Sequence, residues 1–216
     1  MDQSFASVIF TIGRLGPAGV DLLGTGFAVG RNKIATAAHL TDQNNDGLVA
    51  LMPQINQMSD YQDTTINQAR LSAVTISAYD PIHDIAILDA PEIVMNFGYS
   101  LGGTDEAPPG TRIVSAGFPH ADLGRRVLTQ QSSTVGARIL MAAGPVKAKH
   151  IVMNVQTRPG TSGSPVFLEG QPRVCGMLIG SYVPQGGGGI RLGNIDPYTL
   201  HQTTHAVSAE YIEAML

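Results

Sequence analysis

The segment Gly160-Thr161-Ser162-Gly163-Ser164-Pro165-Val166-Phe167 holds what a nucleophilic serine needs. A serine hydroxyl is a weak nucleophile at neutral pH. It acts only with an adjacent base and with donors for the oxygen that becomes negative. Glycine at 160 and 163 permits a sharp turn and close approach of a substrate. In such a turn the N–H groups of Gly160 and Ser162 can converge on one oxygen. Taken alone, the stretch is equally an ordinary Gly-Ser turn before a strand. A base is available in Thr36-Ala37-Ala38-His39, where small residues leave room around an imidazole. An isolated histidine is more often an unremarkable core or surface residue. Asp84 opens the apolar run Asp84-Ile85-Ala86-Ile87-Leu88 and is badly placed there unless something pairs with it. Accepting from the Nδ1–H of a histidine would satisfy a buried carboxylate at this position and fix the imidazole tautomer. By itself Asp84 reads as a turn aspartate, like Asp80 or Asp89.

These residues need a framework, and the chain supplies short β-patterned runs divided by Gly, Pro, Asn and Asp. Such runs occupy 7–12, 26–29, 33–37, 47–52, 71–78 and 85–88. A turn-rich stretch at 98–110, with Gly102-Gly103 and Pro108-Pro109, follows. Strand-like runs resume at 112–116, 126–129, 133–139, 150–155, 164–168 and 174–179. About six strands per half at this spacing predict an all-β protein of two small antiparallel barrels. The expected organisation is an N-terminal barrel over 1–97 with His39 and Asp84, a connection over 98–110, and a second barrel over 111–216 with Ser162. One short helix is expected at the C-terminus, capped by Ser208, with Ala209, Ile212 and Leu216 on its apolar face. The Gly186 to Gly189 run reads as a loop.

With 216 residues the chain can bury a sizeable core, and 43% hydrophobic content fits a globular protein. A net charge of -4 with 14% charged residues gives no basic footprint for nucleic acid. Apolar runs fall short of the ~20 residues of a membrane span. Cys175 is the single cysteine, so no disulfide can form within the chain. The opening Met1-Asp2-Gln3-Ser4 lacks the blocks of a secretion signal, and together these give a cytoplasmic expectation. His83, His120, His150, His201 and His205 show no metal-ligand spacing, so neither metal nor organic cofactor is expected.

Read together, the segments around His39, Asp84 and Ser162 resemble those of the trypsin-like (chymotrypsin-fold) serine peptidases. The chain order His, Asp, Ser separates this group from subtilisins and α/β-hydrolases. Gly24-Thr25-Gly26-Phe27, Thr36 to His39, Asp84 to Leu88, Gly117-Phe118-Pro119 and Gly160 to Phe167 are similar to the bacterial branch of HtrA-type proteases and glutamyl endopeptidases. The resemblance implies two six-stranded barrels and a peptide or protein substrate. Ser162 would be the nucleophile, His39 the general base and Asp84 its orienting acid, with an oxyanion hole at Gly160 and Ser162. It also implies a specificity pocket with Gln156 at the base, Thr157 beside it, and a wall strand carrying Leu178, Gly180 and Ser181.

Three departures bear on that expectation. Thr161 stands where digestive enzymes carry the aspartate that pairs with a newly cut N-terminus, so activation of that kind is not expected. HtrA-type enzymes usually continue into a peptide-binding PDZ domain; none is expected here, and a regulator would be another chain. Gln156 and Leu178 replace the carboxylate for basic substrates and the histidine for acidic ones, so uncharged residues are expected before the scissile bond. Asp196 is the acid that would upset this if it reached the pocket. A silent binding module of the same fold, or an esterase using the same triad, are the alternatives.

Overall fold

The computed structural model describes residues 3–66, 68–182 and 203–216. The first sheet is built from β1 (Ile9–Gly16), β2 (Gly19–Gly30), β3 (Lys33–Ala37), β4 (Leu48–Leu51), β5 (Leu71–Ala73), β6 (Thr75–Asp80) and β7 (Ile85–Asp89). Its order is β5-β4-β1-β2-β3-β7-β6, antiparallel throughout. The two edge strands are one run of chain interrupted at Val74, whose N–H bonds to the Leu48 carbonyl at 3.1 Å. A single run therefore supplies both edges, which closes the sheet into a barrel of six strands and leaves little unpaired edge.

The second sheet comprises β8 (Ser100–Leu101), β9 (Arg112–Gly117), β10 (Thr129–Ala143), β11 (Val146–Met153), β12 (Pro165–Leu168), β13 (Arg173–Tyr182) and β14 (Thr203–Ser208). β12 pairs with both β9 and β13, which closes a six-stranded ring. The two-residue β8 adds to it in parallel with β13. It lies within 98–110, a stretch that also carries a 3-10 turn at Thr104–Glu106. Two six-stranded barrels are thus present, each with one short extra strand segment.

One apolar cluster fills the first barrel with Phe10, Phe27, Ile34, Ile85, Ile87 and Leu88, and continues between the barrels through Phe118, Phe167 and Val207. Phe5 stacks on Phe167 at 4.7 Å, and Tyr99 meets both rings edge-on. The buried Tyr99 hydroxyl donates to the Ala28 carbonyl at 2.6 Å, and burial pushes its ionisation far up. Aromatic pairs of this kind add about 0.5–1.5 kcal/mol beyond the area they bury. A second cluster, with Ile113, Val135, Ile151, Val166 and Leu168, fills the other barrel. Cys175 is buried in it, and burial pushes its thiol up to about 12, which makes it unreactive. Among the described residues no helix is long and apolar enough to cross a membrane.

Three local expectations are corrected. Of the run 126–129 only Thr129 is in a strand. The Gln62 side chain accepts from Leu128 N at 2.7 Å and donates to Leu128 O at 2.8 Å, so an amide side chain takes the place of a strand partner. Ser208 ends β14 instead of capping the helix. Its hydroxyl accepts from Thr104 N at 3.0 Å and donates to Glu210 at 3.1 Å, while Ala209 occupies the cap of α1 (Glu210–Glu213). Leu216 is 49% exposed, and only Ala209 and Ile212 of the expected apolar face are buried.

Candidate active site

His39 sits in a 3-10 turn, Ala38–Leu40, that continues β3, and Asp84 immediately precedes β7. The β3–β7 ladder reaches Ala37 opposite Ile85, and Ala38 N then donates to the Asp84 carbonyl at 3.0 Å. Strand pairing therefore delivers the two side chains to one another. Asp84 Oδ1 accepts from His39 N at 2.8 Å and Oδ2 lies 2.6 Å from His39 Nδ1. With a carboxylate as partner Nδ1 is the donor, and in the neutral ring this leaves Nε2 as the acceptor. Asp84 holds φ of 57°, a left-handed conformation that aspartate tolerates better than most residues. Its side chain is 25% exposed, so the carboxylate is partly buried and not fully enclosed. The turn before it is ordered by Asp80, which accepts from Ile82 N and His83 N and pairs with His83 Nδ1 at 2.6 Å.

The nucleophile segment is a type II turn followed by a second reversal. Pro159 and Gly160 take its central positions, Gly160 has φ of 89°, and Thr161 N donates to Arg158 O at 3.1 Å. Proline presets the first position and glycine alone accepts the second, so the sequence Arg158-Pro159-Gly160-Thr161 specifies the turn. Thr161 Oγ1 also donates to Arg158 O at 2.7 Å, so a local bond orders the loop where an aspartate ion pair is missing.

The carbonyls from Arg158 to Ser162 all have partners. Pro159 O accepts from His120 N at 2.7 Å and Thr161 O from Ser164 N at 3.0 Å. Gly160 O accepts from Thr25 Oγ1 at 2.8 Å, and Ser162 O from Thr25 N at 2.9 Å. Gly163 N is likewise used, donating to Leu178 O at 2.7 Å. Gly160 N–H and Ser162 N–H have no acceptor among the described residues. The Pro159–Gly160 peptide is trans with its oxygen held at His120, so its N–H faces the opposite way.

The segments that carry Ser162 and His39 meet at Gly24. A side chain at position 24 would lie 3.0 Å from Ser162 O and would collide with Leu40, the neighbour of His39. No hydrogen bond joins Ser162 Oγ to His39 among the described residues. In free enzymes that contact often tightens only when substrate is bound. Glycine is required at 160, where a Cβ would sit 2.5 Å from Phe118 O and 2.6 Å from Ala121 N.

The residues expected to form the specificity pocket fall in unlike environments. Gln156 is exposed. Thr157 is buried, with its N–H bonded to Thr204 Oγ1 at 3.1 Å. Leu178 is 1% exposed and packs inside the second barrel, so its side chain is part of the core and not an open wall. Its backbone pairs with the nucleophile loop, with Leu178 N donating to Ser164 O at 2.9 Å. Gly180, with φ of 150°, marks an irregularity in the β13–β14 ladder, and Ser181 follows it in β13 opposite Thr204. Gly186 to Gly189, Asp196 and His201 lie outside the described residues.

No group of three metal-ligating side chains occurs among the described residues. His150 is buried on β11 with Nδ1 against Ala148 O at 3.0 Å, and burial lowers its pKa below the usual 6.5. His205 is lowered for the same reason. A depressed histidine pKa means the unfolded chain binds the proton more readily, so stability falls as pH drops through the unfolded value of about 6.5. Thermal unfolding should therefore come at lower temperature at pH about 5.5 than at about 7.5, and His150→Gln should narrow the gap. An equal gap in the variant would assign the dependence elsewhere.

Two contributors escaped the sequence reading: Thr25, which was seen only as part of a Gly-Thr-Gly motif, and His120, which acts through its main chain. Spacing signals neither, because each works by a backbone contact more than 30 residues away in sequence.

The family of the trypsin-like peptidase domain matches residues 24–177, a span that contains His39, Asp84 and Ser162. The MamO protease domain from Magnetospirillum magneticum superposes with a TM-score of 0.68 at 14% identity, covering 99% of this chain and 97% of that one. The active form of the Rv3671c protease from M. tuberculosis gives 0.68 at 20% identity, covering 98% and 80%. The HtrA-type protease AlgW, solved with a decapeptide, gives 0.68 at 15% identity, covering 98% and 64%. No curated protein sequence matches significantly. The structural likenesses, at these identities, speak for the fold, and the sequence match over most of the chain speaks for the family: this chain belongs to the trypsin-like peptidase domain family.

Proposed function

We propose that the protein is a serine endopeptidase that cleaves peptide bonds through His39, Asp84 and Ser162. The observation that carries this reading is the bonding pattern of the nucleophile turn, where the carbonyls from Arg158 to Ser162 are tied down and the N–H groups of Gly160 and Ser162 are left unspent. Ser162 Oγ attacks the scissile carbonyl carbon while His39 Nε2 takes its proton. The carbonyl oxygen, now negative, is received by Gly160 N–H and Ser162 N–H. His39, held by Asp84, returns the proton to the amine as the C–N bond breaks, leaving an acyl-enzyme. Water, deprotonated by the same imidazole, then releases the acid. The steps balance without metal or organic cofactor.

Uncharged residues before the scissile bond are favoured in this reading. The exposed Gln156 amide carries no charge that could neutralise one on the substrate, and burying an unpaired charge is costly. With Thr161 tied to Arg158, the enzyme is competent without cutting of its N-terminus. A fluorophosphonate probe followed by a peptide-library digest tests the proposal. Labelling that requires Ser162, with cuts after uncharged residues, is expected. Absence of labelling would favour an inert binding module, labelling with ester but no peptide turnover an esterase, and strict cleavage after Arg, Lys or Glu would overturn the specificity.

A further inference from the structure

We infer that Thr25 is the positioning residue of the oxyanion hole, acting from the opposite barrel through its hydroxyl. The inference rests on the proposed peptidase reaction and adds to it a residue that never touches substrate. Thr25 lies in the middle of β2 and is completely buried. All its polar atoms are used. Its N–H donates to Ser162 O at 2.9 Å and its carbonyl accepts from Thr36 Oγ1 at 2.7 Å. Its hydroxyl accepts from Phe118 N at 3.1 Å and donates to Gly160 O at 2.8 Å.

A hydroxyl has one hydrogen. Because Phe118 N–H already occupies a lone pair, that hydrogen is committed to Gly160 O, and the bond has a fixed direction. The two carbonyls that Thr25 holds belong to the peptides Gly160–Thr161 and Ser162–Gly163. The two unspent N–H groups belong to the peptides Pro159–Gly160 and Thr161–Ser162. Planes anchored on Thr25 therefore alternate with planes that carry the unspent N–H groups, whose own oxygens are held by His120 N and Ser164 N. Each hole peptide thus adjoins a plane anchored on Thr25, the Pro159–Gly160 peptide at Gly160 and the Thr161–Ser162 peptide at both of its ends. This matters most at Gly160, the residue whose backbone is freest to let its peptide turn over. Thr25 thus keeps the donors aimed before charge develops, which is how such a site gains its advantage over water.

Thr25→Val removes the hydroxyl at constant shape and leaves both main-chain bonds of residue 25 in place. Steady-state kinetics on a peptide substrate should show kcat lowered about 10²- to 10³-fold with KM within about twofold, the pattern of an interaction made in the transition state. Affinity for a peptide aldehyde, which forms a tetrahedral adduct, should fall in proportion to kcat/KM. Thr25→Ser should recover activity to within about fivefold, because the donor returns. Should Thr25→Val not accumulate as folded protein, Thr25→Cys carries the test, since its thiol is a weak donor and kcat should fall between the serine and wild-type values on one side and zero on the other. An active wild type with kcat in the valine or cysteine variant within about threefold of it, or with the loss confined to KM, would overturn the role of Thr25 alone. A wild type inert towards every peptide would overturn the peptidase reading itself.

Discussion

Ser162→Ala is expected to lower peptide turnover by on the order of 10⁴-fold or more while the fold stays intact. The size follows from what the hydroxyl does. In the proposed reaction it forms the acyl bond, and His39 and Asp84 have no other atom to activate, so the three act as a unit and losing one forfeits most of the gain. Stability should hardly move. Ser162 is only partly buried, its hydroxyl has no hydrogen bond among the described residues, and the loop is fixed by main-chain contacts that alanine retains. Kinetics on the purified variant, with its melting temperature beside wild type, decide the matter. Cleavage within tenfold of wild type would remove Ser162 from the chemistry; a collapse of stability would show that the serine side chain packs as well as reacts.

How much of this was readable beforehand depends on whether the information was local. The strands at 33–37 and 85–89 announce themselves as β-rich runs with turn residues at their ends, and the expected span 33–37 coincides with β3. The adjacency of His39 and Asp84 follows once those strands pair. The Pro159-Gly160 turn is local too, since each residue has a conformational reason for its place. The closure of the first barrel at Val74 is different. An apolar residue in the middle of a β-patterned run gives no sign that the chain changes partner there, from β4 to β7.

The same distinction explains the site. Residues with special side-chain chemistry stand out by type and order. Thr25 was passed over because threonine in a strand is ordinary, and its role depends on where Gly160 and Ser162 come to rest in space. Leu178 differs from its expected place for a related reason. Position along a wall strand does not say which face a side chain takes, and this one turns into the core while its main chain does the work of holding Gly163 and Ser164.

Gly163→Ala should be the most damaging single methyl group in the nucleophile loop. Gly163 has φ of 84°, and a Cβ there would overlap the Thr25 carbonyl oxygen and stand 2.8 Å from Thr36 Oγ1. Thr25 cannot retreat, because it is mid-strand in β2, opposite Thr11 of β1, and is tied to Thr36. The loop must move instead, which breaks Gly163 N to Leu178 O, Thr25 N to Ser162 O, or both. Gly170 provides the control: its φ is 75°, but a Cβ would meet nothing within 4 Å. Gly170→Ala should therefore cost only the left-handed backbone penalty, about 1–2 kcal/mol. Gly163→Ala adds overlap and buried unpaired groups, for about 3–5 kcal/mol, a large part of the stability of a typical domain. Urea unfolding of the two variants, with fluorophosphonate labelling of whatever remains folded, separates the cases. The expected result is a marked stability gap and a Gly163→Ala protein that no longer labels. Equal stabilities with labelling retained would mean that the glycine is not what lets the nucleophile loop lie against Thr25.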